Sequence, residues 1–205
     1  MRSPAFVCLL LLTLPVLAQG DEHIDALIAQ YGEERSLKCE ILVQVDVEGM
    51  QIPDKKIFVE FEKNEKPKVK GEGLSLLPKK GTVDQFRELL TSPLQAIFLS
   101  RKGGNMVYKL VALDPESDWI TADILFDEKS YLIYESTIST KKFGTFHASH
   151  SYEGRIYPAR SVVTFDVKRF RLPLKFIGRE QAEPVSRSEE EENVRGKVIM
   201  EYTYL

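Results

Sequence analysis

Apolar positions recur along this chain with two periods. Within residues 21–35, Ile24, Leu27, Ile28 and Tyr31 fall at i, i+3, i+4 and i+7, one stripe of a helix. Asp21 stands where it can cap the first turn, and Glu22 and Asp25 suit the positive helix end. From Leu37 onward the period drops to two. Over Leu37–Val47, Cys39, Ile41, Val43, Val45 and Val47 share one face, and Glu40, Gln44 and Asp46 share the other with Leu42. After a turn signal at Glu48-Gly49, residues 56–62 alternate again, with Ile57, Val59 and Phe61 inward. A polar turn at 63–67 leads into a strand over 68–77, with Leu74 and Leu76 on one face.

A second, shorter helix interrupts the strands. Thr82 and Gln85 have capping-box spacing, Val83, Phe86, Leu89 and Leu90 form an apolar side, and Ser92-Pro93 ends it. Strands over 96–101 and 106–113 flank the hairpin signal Lys102-Gly103-Gly104-Asn105. Strands over 119–126 and 131–138 flank Asp127 to Ser130, and strands over 143–152 and 156–167 flank Glu153-Gly154-Arg155. Residues 194–205 close the chain with Val198, Met200, Tyr202 and Tyr204 in phase. About ten strands joined by short turns predict an antiparallel meander, a mainly β (α+β) fold. One stretch, 170–192, breaks the rhythm. Its apolar start (Phe170, Leu172, Leu174, Phe176, Ile177) fits either a flap over the sheet or a strand extension, and its four closing glutamates fit a solvated loop.

The N-terminus bears on compartment. Arg2, an apolar run over 5–17 and Val16-Leu17-Ala18 have the layout of a secretory signal peptide, with cleavage expected after Ala18. The run falls short of the ~20 residues that a membrane span needs. Cleavage removes Cys8 and leaves Cys39 alone, so no internal disulfide can form and burial must hold the domain. A soluble mature chain of about 185 residues, one domain over 19–205, is long enough for that. Cys39 reads as a small buried hydrophobe. With 43% hydrophobic and 29% charged residues and a net charge of −3, the chain is globular in composition and unsuited to nucleic acid.

Catalytic and metal chemistry is hard to find. His147 and His150 lie three apart on a predicted strand, so they face opposite sides and cannot share a metal. There is no Gly-x-Ser-x-Gly elbow, and Gly71-Glu72-Gly73 lacks the third glycine of a dinucleotide fingerprint. No cofactor is expected. Most carboxylates fall on outward positions or in turns. Lys63, Lys66, Lys68, Lys70, Lys79 and Lys80 read either as a solvated strand edge or as a docking patch for an anionic head group or partner.

Ten strands with one apolar face each offer more surface than two modest helices cover. A closed barrel fills its own interior, whereas an incompletely closed one under helices leaves an apolar cavity. A fully packed core is the alternative. Alternation makes Ile41, Val43, Val45, Ile57, Val59, Phe61, Leu74, Leu76, Trp119, Phe143 and Phe165 the candidate cavity-lining residues.

The order of signal peptide, amphipathic helix, strands and a Lys66-Pro67 turn resembles LolA-like periplasmic lipoprotein carriers. The stretch 71–81 (GEGLSLLPKKG) looks like one found in divergent relatives of that family, as do Lys142-Phe143-Gly144-Thr145-Phe146, Tyr157-Pro158, Phe165-Asp166-Val167 and Phe170-Arg171-Leu172-Pro173. The resemblance implies an incompletely closed antiparallel half-barrel lidded by the N-terminal helix and the short second helix. It further implies a periplasmic carrier for lipoprotein acyl chains, with a membrane-associated donor and acceptor; a monomer is expected. Family members carry an aromatic residue and an arginine after the Lys-Pro turn, where this chain has Val69 and Lys70. The cargo could therefore be another amphiphilic lipid. Two other readings stand beside the carrier: a sensor or protein-interaction module on the same fold, and a hydrolase with a dispersed acidic site.

Overall fold

Asp21 caps the first described helix. Its side chain accepts hydrogen bonds from the backbone N–H groups of His23 and Ile24, at 3.0 and 3.3 Å. The computed structural model describes residues 21–33, 35–47, 50–62, 68–71, 83–168 and 193–205. Helix α1 (Glu22–Tyr31) buries Ile24, Leu27 and Tyr31, three residues of the predicted stripe. It stops short of the predicted end, because Gly32 and Glu33 offer nothing apolar with which to continue it.

The strands are β1 (Leu37–Val47), β2 (Met50–Gln51), β3 (Lys55–Phe61), β4 (Lys68–Gly71), β5 (Leu94–Lys102), β6 (Asn105–Ala112), β7 (Trp119–Asp127), β8 (Ile133–Thr140), β9 (Gly144–Tyr152), β10 (Pro158–Lys168) and β11 (Asn193–Tyr204). Helix α2 (Val83–Thr91) lies between β4 and β5. All pairings are antiparallel, and the sheet runs β4-β3-β1-β11-β10-β9-β8-β7-β6-β5, with the short β2 paired to β1. The described strands do not close: β4 and β5 are the two ends of this order. The last strand sits between β1 and β10 and so joins the start of the chain to the meander. Edge strand β4 exposes Lys68 and Lys70, and such charges discourage pairing with another chain.

Strand boundaries moved where turn chemistry overrode alternation. Asp127 Oδ1 accepts from the Lys129 and Ser130 backbone N–H groups and from the Ser130 hydroxyl, and Tyr131 takes a left-handed φ of 54°. That compact turn delays β8 to Ile133, whereas the sequence predicted a start at 131. At the next turn Gly144, at φ 80°, reverses the chain and leaves Phe143 outside the strand.

The inner face divides into two apolar clusters. The first joins Ile24, Leu27 and Tyr31 of α1 and Phe86, Leu89 and Leu90 of α2 to β6, β7 and β8. The second draws on β1, β3, β9, β10 and β11 and contains no residue of either helix. Gly196 belongs to this second half. A Cβ there would collide with the Phe165 ring, so only glycine lets that ring lie across β11.

Candidate functional site

The second cluster holds most of the residues that alternation pointed to. Ile41, Val43, Ile57, Val59 and Phe165 are buried together in it, and Val45 and Phe61 pack half-buried at its fringe beside Leu37 and Val69. Trp119 is buried too, but in the other cluster, beneath the helices. Phe143 corrects the sequence reading: it is 54% exposed, because the Gly144 turn expels it from the strand. Leu74 and Leu76 lie outside the described residues.

Among the described residues, α1 sits close on the sheet. Leu27 is fully buried against the sheet, and the helix is pinned from several sides. Tyr108 Oη donates to both Asp21 carboxylate oxygens at 3.1 and 2.9 Å, and Gln30 Nε2 donates to the Ser130 and Tyr131 carbonyls, each at 3.1 Å. The half of the inner face with no described helix on it is the other candidate surface for a guest.

Between the clusters runs a polar seam that the sequence reading missed. His150 Nδ1 lies 2.8 Å from Ser161 Oγ, directly across the β9–β10 pairing, and both side chains are buried. Burial pushes the His150 pKa down to about 4, so the ring is neutral. Phe86 of α2 meets the His150 ring edge-on, with centroids 5.2 Å apart, and touches Tyr31 of α1 as well. Tyr31 Oη accepts from the Ile133 N–H at 3.3 Å, and Tyr152 Oη donates to the Ile133 carbonyl at 2.6 Å. Burial raises the pKa of both phenols, so they act as neutral hydrogen-bonding groups. The available signal was phase: His150 alternates with Ala148 and Phe146, and Ser161 with Val163 and Phe165. His147, three residues away, faces outward and meets Thr137 Oγ1 at 3.0 Å, as strand geometry requires.

The outer face is a lattice of cross-strand ion pairs. Lys56 meets Glu40 at 3.0 Å, Lys197 meets Asp46 at 3.6 Å and Arg160 meets Glu201 at 3.6 Å, while Lys38 pairs with Glu60 and Lys109 with Asp123. A shallow cleft of about 520 Å³ borders Asp46, His147, Thr164, Phe165, Arg195, Gly196 and Lys197. Charged Asp46, Arg195 and Lys197 stand on it beside the apolar Phe165. Among the described residues, no three His, Cys, Asp or Glu side chains converge as metal ligands, and no helix is long and apolar enough to cross a membrane. Cys39 is buried and free, and burial pushes its thiol up to about 11, which leaves it protonated and unreactive at neutral pH.

This arrangement has a counterpart among solved structures. A crystal structure of a LolA superfamily protein from Nitrosomonas europaea superposes with a TM-score of 0.50, covering 88% of this chain and 91% of that one at 8% identity. This chain has a LolA-like fold. The likeness lies in the fold and hardly at all in residue identities. A putative outer membrane lipoprotein-sorting protein domain from Vibrio parahaemolyticus aligns at a TM-score of 0.40 and 9% identity, over 89% of this chain and 91% of that one. No model of a known protein family matches the sequence, and no curated protein matches it.

Proposed function

We propose that this protein is a periplasmic carrier that takes the acyl chains of a lipoprotein, or of another amphiphilic lipid, against the half of its sheet that carries no described helix. The observation that carries this reading is the split inner face. One apolar cluster is capped by α1 and α2, and the other, of similar extent, has no described helix on it. Its fringe at Leu37, Val45, Phe61 and Val69 is only half-buried, which gives a guest an apolar edge to enter by. Ten buried methylenes would bring ~8 kcal/mol before the entropy of association is subtracted. The LolA-like fold supports the reading, and so do the family-like stretches at 71–81 and 142–146. Donor and acceptor proteins at the two membranes belong to the same reading.

The test is lipid analysis of the purified protein together with displacement of a fluorescent fatty acid. We expect a co-purifying acylated lipid, and at least tenfold weaker probe binding in Val45→Asp and Phe61→Asp with little change in melting temperature. A lipid-free protein that also fails to bind the probe would end the carrier reading.

One observation favours a protein-interaction module instead. Edge strand β5 exposes Ile97, Phe98 and Leu99, at 41%, 50% and 47%. Such an edge can accept a partner's strand. That reading expects a stable complex that is lost in Phe98→Asp, with no lipid exchange.

A further inference from the structure

Two buried polar atoms on the inner face have no partner among the described residues: Ser136 Oγ and His150 Nε2. Their side chains are more than nine-tenths buried, at 4% and 8% exposure. An unpaired buried group is expensive, so native proteins seldom keep one without a use. Ser136 pairs across β8–β9 with Ala148, two residues before His150. Ser136 and His150 are therefore diagonal neighbours on the same face, and both sit between the two apolar clusters.

Ser161 Oγ and His150 Nδ1 share one hydrogen bond, and the ring tautomer sets which of them donates. The Nε2 atom is therefore either bare, needing a donor, or protonated, needing an acceptor. Ser136 has a free O–H and needs an acceptor. One group answers both whichever tautomer holds: a hydroxyl, which accepts from Ser136 and can either donate to Nε2 or accept from it. An ester carbonyl cannot donate to a bare Nε2. A carboxylate cannot donate, and here it would be a buried charge with a neutral imidazole for company.

Resting on the carrier reading, we propose that Ser136 and His150 form a hydroxyl-binding point inside the apolar interior, so that the guest is an acylated amphiphile with a free hydroxyl beside its chain, of the acylglycerol kind. Phe86 of α2 closes over this point, so seating the hydroxyl and seating the helix are linked.

The test uses the full mature chain, stripped of lipid, with two probes of equal chain length: 1-monooleoylglycerol and methyl oleate. Each competes against a fluorescent fatty acid. We expect monooleoylglycerol to bind about tenfold more tightly, the scale of one or two buried hydrogen bonds. Ser136→Ala and His150→Leu should bring the ratio near one while methyl oleate affinity is kept. Ser136→Ala removes only an unpaired hydroxyl, so the variant should fold with an equal or higher melting temperature. The Nε2 resonance of ¹⁵N-labelled His150 should shift with monooleoylglycerol and stay put with methyl oleate. Equal binding of the two esters, or a preference that survives in Ser136→Ala, overturns the hydroxyl site and leaves the carrier standing. Failure of both esters and the fatty acid to bind overturns both.

Discussion

His150 is neutral in the folded protein, and that has a thermodynamic consequence. Its folded pKa, about 4, lies below the ordinary value of 6.5. The unfolded chain therefore takes up a proton first as the pH falls, and folding must hold it off. Stability is full above pH ~6.5, declines as the pH drops toward 4, and levels off below. The shift is worth on the order of 3 kcal/mol. Urea denaturation at pH 7.5 and pH 4.5 measures it. We expect wild type to lose 2–3 kcal/mol more than His150→Gln across that interval (about two pKa units at 1.36 kcal/mol each). Parallel losses in the two proteins would show that His150 is not the group responsible. Carboxylates cancel in this comparison because both proteins carry them.

At the scale of an element, α1 depends on its N-cap as well as on its stripe. A ten-residue helix is marginal by itself and needs capping and tertiary contacts. Asp21 supplies both, since one carboxylate caps two N–H groups and accepts from Tyr108 across the fold. Asp21→Ala should cost about 2 kcal/mol, the upper range for a lost cap, because the buried Tyr108 hydroxyl is orphaned as well. Asp21→Asn, which keeps an acceptor, should recover part of it. Thermal melts of the two variants check this; a loss below ~0.5 kcal/mol in Asp21→Ala would mean that packing alone seats the helix. Cap and stripe were both legible in the sequence, because helix capping is decided within one turn. The early start of β5 and late start of β8 were not. They depend on Pro93 accepting a hydrogen bond from Leu113 and on Asp127 drawing its turn tight, and alternation carries neither.

For the molecule as a whole, the final strand is the keystone. β11 pairs with β1 along nine residue partners and with β10 along nine more, so the sheet is continuous only through it. A chain ending at residue 192 should lose its cooperative unfolding transition, read by circular dichroism against denaturant; a retained sharp transition would show that the β5–β10 meander folds alone. By itself the sequence determined the class of fold, the alternating faces, the opposite facing of His147 and His150 and the burial of Cys39. Each of these follows from the period of a strand, which every residue carries locally. Only the tertiary structure decided that β11 inserts beside β1, that Trp119 and Ile41 fall in different clusters, that Phe143 is expelled, and that His150 meets Ser161 and lies diagonal to Ser136. These facts turn on which strands become neighbours. Period two says which way a side chain points, but neighbours are chosen by pairing between strands far apart in sequence, and no local pattern records the outcome.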